Sequence, residues 1–205
     1  FVAVDGRLAG LIAVADTLKA SAVEAVEMLK RQGIEVVMLT GDNERTARAV
    51  ARKVGIERVV ADVLPADKAK VIGDLKKEGR LVAMVGDGIN DAPALASSDV
   101  GIAIGSGTDV AKEAGGIVLL RDDVRDVARA VELSKRTVAK IRQNLFWAFA
   151  YNVGLIPVAA GVLYVFGGPL LNPIFAAIAM AASSTTVTMN SMLLGRWKPA
   201  QIASP

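Results

Sequence analysis

The 205-residue chain contains neither cysteine nor histidine. Disulfides, Cys/His zinc sites and Ser-His or Cys-His catalysis are therefore excluded within it. A chain without thiols suits either redox compartment. Acidic residues also run out early: the last is Glu132. Beyond it stand Lys135, Arg136, Lys140, Arg142, Arg196 and Lys198, with no acid among them. The net charge of +3 and pI of 9.3 thus hide an acidic first part and a basic last part. A basic chain is often a nucleic-acid binder. These cations instead flank apolar segments and form no patch interleaved with aromatics, so nucleic acid is not an expected partner.

Charge of either sign is missing from two long stretches, about 145–166 and 170–194. Each exceeds the roughly 20 apolar residues that a bilayer crossing needs. A buried soluble helix would explain one such run, but two in tandem predict a two-helix transmembrane hairpin. Neither run is N-terminal, so neither reads as a signal peptide. The flanking cations place both outer ends in the cytosol and the turn near Gly167–Pro173 outside. A helix from about Val124 to Asn144 is expected to run straight into the first span.

Residues 1–132 alternate strand and helix patterns. Phe1–Val4 and Leu8–Val14 flank Asp5-Gly6, a hairpin turn. Helices are predicted over Ala20–Gln32, Glu44–Val54 (closed by Gly55) and Ala66–Lys77 (closed by Gly79), with a short one near Asp109–Glu113. Ile34–Leu39 reads as an apolar strand buried on both faces. Val59-Val60, Leu81–Val85, Val100–Ile104 and Ile117–Leu120 complete the strands. The expected fold class is α/β, a doubly wound parallel sheet.

Ligands of such sheets sit at the C-terminal strand ends. Thr40-Gly41-Asp42 follows one strand, and Gly86-Asp87-Gly88-Ile89-Asn90-Asp91 follows another. Lys68 opens the helix after Leu64-Pro65. Glycines let backbone approach a phosphate closely. Asp87 and Asp91 are hard donors suited to Mg²⁺. Thr40 and Asn90 can donate to phosphoryl oxygens, and Lys68 can neutralise them. Asp42 and Asp91 also suit helix N-caps. Caps alone do not require two acids and an asparagine bracketing two glycines.

Together these elements resemble the phosphorylation domain of P-type ATPases, a branch of the haloacid dehalogenase-like fold. Asp16-Thr-Leu-Lys19 sits where that family carries an Asp-x-x-Arg/Lys element. The resemblance implies that Asp87 binds Mg²⁺, with Asp91 assisting or ordering the loop. It implies that Thr40, Lys68 and Asn90 hold the phosphoryl group, while Asp42 supports Mg²⁺ or the nucleotide side. Gly41, Gly86 and Gly88 would line the phosphate and nucleotide approach. ATP and Mg²⁺ are the implied cofactors. The family's nucleophile is the Asp of an Asp-Lys-Thr-Gly-Thr motif, which this sequence does not contain. The expectation is therefore a C-terminal fragment, inactive alone, whose partners are the upstream domains of the same pump and membrane lipid. Its parts would be a partial phosphorylation domain at 1–132, a linking helix and two membrane helices at 133–199, and a tail at 200–205.

The apolar runs carry uncharged polar groups. Tyr151-Asn152 interrupts the first. Met180, Ser183 and Ser184 share one helical face in the second. Small and hydroxyl residues also serve helix packing, but an Asn within such a run points to function. Divalent ions call for carboxylates; thioether, phenol and amide groups suit soft Cu⁺ or Ag⁺. Tyr-Asn followed by Met-x-x-Ser-Ser resembles the last two helices of Cu⁺-transporting P-type ATPases, which implies that Tyr151, Asn152, Met180 and Ser184 form part of an ion site. The resemblance implies an exporting pump in a prokaryotic plasma membrane. A P-type pump of other metal specificity, and a non-catalytic membrane-anchored Mg²⁺/phosphate-binding module, are the alternatives.

Overall fold

The computed structural model describes residues 1–12, 18–19, 21–86, 90–105, 116–168, 172–197 and 199. The chain divides into two compact units, Phe1–Ala128 and Arg129–Pro205. The expected helix near Asp109–Glu113 lies outside the described residues.

The first unit opens with an antiparallel hairpin, β1 (Val2–Val4) and β2 (Arg7–Gly10). Asp5 and Gly6 both take positive φ, 49° and 77°. Two consecutive left-handed residues give the turn twist that flanking strands require. Helix α1 (Ser21–Arg31) follows, then β3 (Val37–Leu39), α2 (Glu44–Val54) and β4 (Arg58–Val60). A short 3₁₀ turn at Pro65–Asp67 leads into α3 (Lys68–Lys77). Then come β5 (Ala83–Gly86), α4 (Ala92–Ser97), β6 (Val100–Ile104) and β7 (Ile117–Leu119).

All crossover-linked pairs are parallel. β3 pairs with β4, and β5-β6-β7 forms a separate three-stranded sheet. The core joins them locally. Ile72, Met84, Ala94 and Leu95 form a buried cluster, and Leu39 and Val82 pack against it. The end of β3 is thus seated on the same core as β5 and α4.

The strand expected over Ile34–Leu39 is shorter, and its residues are half-buried instead of fully enclosed. Glu35 interrupts the apolar run. Its carboxylate faces Arg58 at 3.8 Å and Arg80 at 3.4 Å, which keeps this stretch in contact with water.

Asp99 anchors the start of β5. Its carboxylate accepts from the Val82 N–H at 2.8 Å and meets Lys76 Nζ at 2.9 Å. The Val82 N–H first, then Lys76, hold this carboxyl below the usual carboxylate range. An unfolded chain therefore takes up the proton first as pH falls. The contribution is complete at neutral pH, declines from roughly pH 4 and is lost below the folded value. Asp99→Asn is expected to lower the melting temperature at pH 7 and to shrink the further loss between about pH 5 and pH 3. Parallel melts of the two proteins across that range check this.

The expected transmembrane hairpin is not seen among the described residues. Among the described residues, no helix is long and apolar enough to cross a membrane. Helix α5 (Arg125–Ala159) is 35 residues long and enters the first apolar run without a break, as expected, but it ends at Ala159. Pro157 cannot donate to the helix ladder, and Gly161 turns left-handed at φ 89°. Only a single turn, α6 (Val162–Val165), follows. The second run forms α7 (Pro173–Met192), 20 residues long, whose second half is rich in Ser, Thr and Asn. Its hydroxyls bond back along the same helix: Thr185 to Ala181 O and Thr186 to Ala182 O at 2.8 Å, Thr188 to Ser184 O at 2.9 Å.

Candidate functional site

At the end of β3, Thr40 and Asp42 lock one another. Thr40 Oγ1 donates to Asp42 Oδ2 at 3.1 Å, and the Asp42 N–H donates to Thr40 Oγ1 at 3.1 Å. The backbone continues beyond the strand pair: Thr40 N–H to Val60 O at 3.0 Å, Val63 N–H to Thr40 O at 3.1 Å and Asp62 N–H to Asp42 O at 2.9 Å. The bonds to Asp62 and Val63 bring the segment before Lys68 against the Thr40-Gly41-Asp42 loop. Asp42 is not the cap of α2. That role falls to Asn43, whose Oδ1 accepts from the Thr46 N–H at 3.0 Å. Asn43, an ordinary cap residue one position later, was the available signal.

At the end of β5, Lys68 and Asp91 meet. Lys68 Nζ lies 2.6 Å from Asp91 Oδ1, and their side chains are only 16% and 14% exposed. Asp91 precedes α4 but makes no side-chain cap bond. Its carboxylate is committed to Lys68. The carboxylate also lies flat on Gly86: a Cβ there would sit 2.5 Å from Asp91 Oδ2 and 2.7 Å from Asp91 Cβ. Glycine at 86 is thus a steric requirement of the Asp91 position. Lys68, Gly86 and Asp91 form one cluster, while Asn90 is exposed beside it. Asp87 and Gly88 lie outside the described residues, as do Asp16 and Thr17. Lys19, from the same element, pairs with Asp122.

The chemistry of this donor set suits phosphate and a hard cation. A charge-paired lysine can exchange carboxylate oxygen for phosphoryl oxygen, and Asp42 and Asp91 are hard donors. Mg²⁺ takes only one or two carboxylates, with phosphate and water completing its shell. The absence of any three-acid cluster among the described residues is compatible with such a site.

In the second unit a separate cleft of about 260 Å³ lies between α5 and α7. Tyr151, Asn152, Met180, Ser183 and Ser184 line it together with Leu155, Ile156, Ala159 and Ala179. The four residues singled out for an ion site therefore share one cavity, and no lining residue is charged. Asn152 Nδ2 donates to Ala148 O at 2.8 Å. Met180 is 74% exposed. Nearer the other end of the helix pair is a polar ladder that sequence patterning missed. Lys140 Nζ donates to Asn190 Oδ1 at 2.7 Å, and Asn190 Nδ2 donates to Asn144 Oδ1 at 2.7 Å. Asn144 Nδ2 donates in turn to Ser191 Oγ at 2.8 Å.

Residues 1–99 match the family of haloacid dehalogenase-like hydrolases. The chain is 56% identical over 200 residues to a copper-transporting ATPase of Rhizobium meliloti, covering 98% of this chain and 24% of that protein. It is 56% identical over 194 residues to a silver exporting P-type ATPase of Salmonella typhimurium, covering 95% of this chain and 24% of that protein. A crystal structure of a zinc-transporting PIB-type ATPase in its E2·Pi state superimposes with a TM-score of 0.79 at 37% identity, over 93% of this chain and 30% of that one.

The chain resembles part of a heavy-metal P-type ATPase.

It spans about a quarter of the length of those curated relatives. The region that matches haloacid dehalogenase-like hydrolases, residues 1–99, is the part that bears the Thr40 and Lys68 clusters. The relatives at the higher identity transport copper or silver, and the zinc transporter is the more distant of the three.

Proposed function

We propose that this chain is the phosphoryl-handling and ion-contacting part of an ATP-driven Cu⁺ or Ag⁺ exporter. The observation that carries the ion reading is the single uncharged cleft shared by Tyr151, Asn152, Met180 and Ser184. A thioether, a phenol, an amide and a hydroxyl without a carboxylate favour a soft monovalent ion. A Zn²⁺ path would call for negative charge that this lining does not offer.

In the intact pump an aspartate carboxylate outside this chain attacks the γ-phosphorus of ATP. The new O–P bond forms as the bond to ADP breaks, and ADP leaves. Transfer of this kind rests on positioning and charge neutralisation. Lys68 neutralises the phosphoryl oxygens, and Asp91 positions its ammonium group. Thr40 and Asn90 donate hydrogen bonds to the same group, and Asp42 fixes the Thr40 side chain within its loop. Asp87 and Asp91 would hold Mg²⁺, which supplies positive charge to the transferring phosphoryl group. Sequence resemblance supports these roles, and the Lys68–Asp91 pair supports the assignment of Lys68. The helical unit, with its exposed apolar faces, works at the membrane across which the ion is exported.

Met180→Ala in the intact pump is expected to raise the Ag⁺ or Cu⁺ concentration that half-stimulates ATP hydrolysis by about 10- to 100-fold. Phosphorylation by inorganic phosphate, which needs no transported ion, should stay unchanged. An unaltered metal response would assign Met180 to packing alone.

A further inference from the structure

With no cysteine and no histidine, the chain has only its six methionines as soft donors. Three of them belong to the α/β unit, where Met28 and Met84 are each 7% exposed and Met38 is half-buried. The other three lie on α7 and face outward: Met180 is 74% exposed, Met189 63% and Met192 71%. Met180 belongs to the cleft, which Met189 and Met192 do not line. They stand about 14 to 18 Å further along the helix, at 1.5 Å per residue. A methionine that only fills a gap in a core is buried, and these two are not.

The polar ladder fixes where they point. Asn190 and Ser191 lie between them in sequence, and both bond to α5: Asn190 to Lys140 and Asn144 at 2.7 Å, Ser191 to Asn144 at 2.8 Å. At about 100° per residue, Met189 and Met192 then project from the opposite side of α7. Thr185 and Thr188 share that side, so the four residues follow the spacing i, i+3, i+4, i+7. Both threonines are exposed. Their hydroxyl protons go to the helix backbone, to Ala181 O at 2.8 Å and Ser184 O at 2.9 Å. Each hydroxyl oxygen keeps lone pairs that can meet a cation.

We propose that Met189 and Met192 chelate one soft monovalent cation, Cu⁺ or Ag⁺, with a threonine oxygen as a weaker third donor, at a second site on α7 separate from the cleft. Thioethers select soft over hard cations. No acidic residue follows Glu132 in the sequence to favour a divalent ion. Residues one turn apart have Cβ atoms about 5–6 Å from one another. The methionine stem is unbranched and rotates freely, so both sulfurs can converge on one ion. Binding here does not depend on the cleft. Use of the pair as a station for the exported ion rests on the exporter reading above.

The test is methyl NMR of the full chain in detergent, with its methionine methyl groups labelled, titrated separately with Ag⁺, Na⁺ and Zn²⁺. The Met189 and Met192 signals are expected to shift together with Ag⁺ and to ignore Na⁺ and Zn²⁺. The buried Met28 and Met84 signals should stay still. Met192→Leu keeps the size of the side chain and removes the sulfur. It should raise the Ag⁺ concentration that half-shifts Met189 by about 100-fold, the advantage of a second donor tethered beside the first. Met189→Leu should do the same to Met192. Met180→Leu should leave the paired response unchanged, so failure of the cleft and failure of this site are told apart. A Met189 midpoint unaltered by Met192→Leu overturns the chelate. An Ag⁺ response confined to Met180, or an equal response of the pair to Zn²⁺, overturns it too.

Discussion

Replacing Lys68 by methionine is expected to cut phosphoenzyme formation by the intact pump about 100- to 1,000-fold. The magnitude is that of removing one pre-positioned group that stabilises charge in the transition state. The Lys68 ammonium lies 2.6 Å from Asp91, and its side chain is only 16% exposed. Methionine keeps the stem's length and packing but removes the charge. The same change leaves the Asp91 carboxylate, 14% exposed, without its partner. A loss of about 1–3 kcal/mol of stability should accompany it. Two consequences of one substitution must be separated. Adding Asp91→Asn to Lys68→Met removes the stranded charge, so stability should largely return while transfer stays low. Urea unfolding reads the first effect, and acid-stable labelling from ATP reads the second. If the double variant regained transfer, Lys68 would be a structural counter-charge only.

The second large effect is steric. Gly86 does not have a positive φ, so its backbone tolerates a side chain, yet an added Cβ would lie 2.5, 2.7 and 2.9 Å from Asp91 Oδ2, Cβ and Cγ. Asp91 Cβ is fixed by the backbone and cannot rotate away. The entry to α4 must shift, and the Lys68–Asp91 contact opens. Gly86→Ala is expected to destabilise the chain by about 1–3 kcal/mol. Phosphoryl transfer in the intact pump should fall at least as far as in Lys68→Met, because the lysine is displaced and its loop distorted. Wild-type stability and labelling in Gly86→Ala would contradict the contact that defines this site.

Much of this was legible in residue patterns. Strand Val100–Ile104 and helix Glu44–Val54 are local in origin: an apolar run, and a capped segment closed by Gly55. The Thr40 and Gly86 loops were legible because Gly, Asp and Thr clusters after apolar runs mark strand ends. The pairing of Lys68 with Asp91 was not, since it joins side chains 23 positions apart. Sequence allowed Asp42 and Asp91 to be caps; a local bond from Thr40 engages the first carboxylate and a tertiary contact with Lys68 the second.

The anchoring of α5 was equally hidden. Arg125 binds Asp123 at 2.8 Å and Glu24 at 2.9 Å, a partner 101 positions away. Asp123 first, then Glu24, raise the affinity of this guanidinium for its proton. Helix length in the apolar runs was not legible from hydropathy. A count of uncharged residues does not register that α5 ends after Pro157, that Gly161 turns left-handed, or that the second half of α7 is rich in Ser and Thr.

The central claim joins a phosphoryl-transfer site to a soft-ion cleft in one chain. Its most direct test is ATP hydrolysis by the purified intact pump, titrated separately with Cu⁺ under reducing conditions, Ag⁺ and Zn²⁺. Stimulation by Cu⁺ and Ag⁺, with none by Zn²⁺, is the predicted result. Stimulation by Zn²⁺ alone would contradict it.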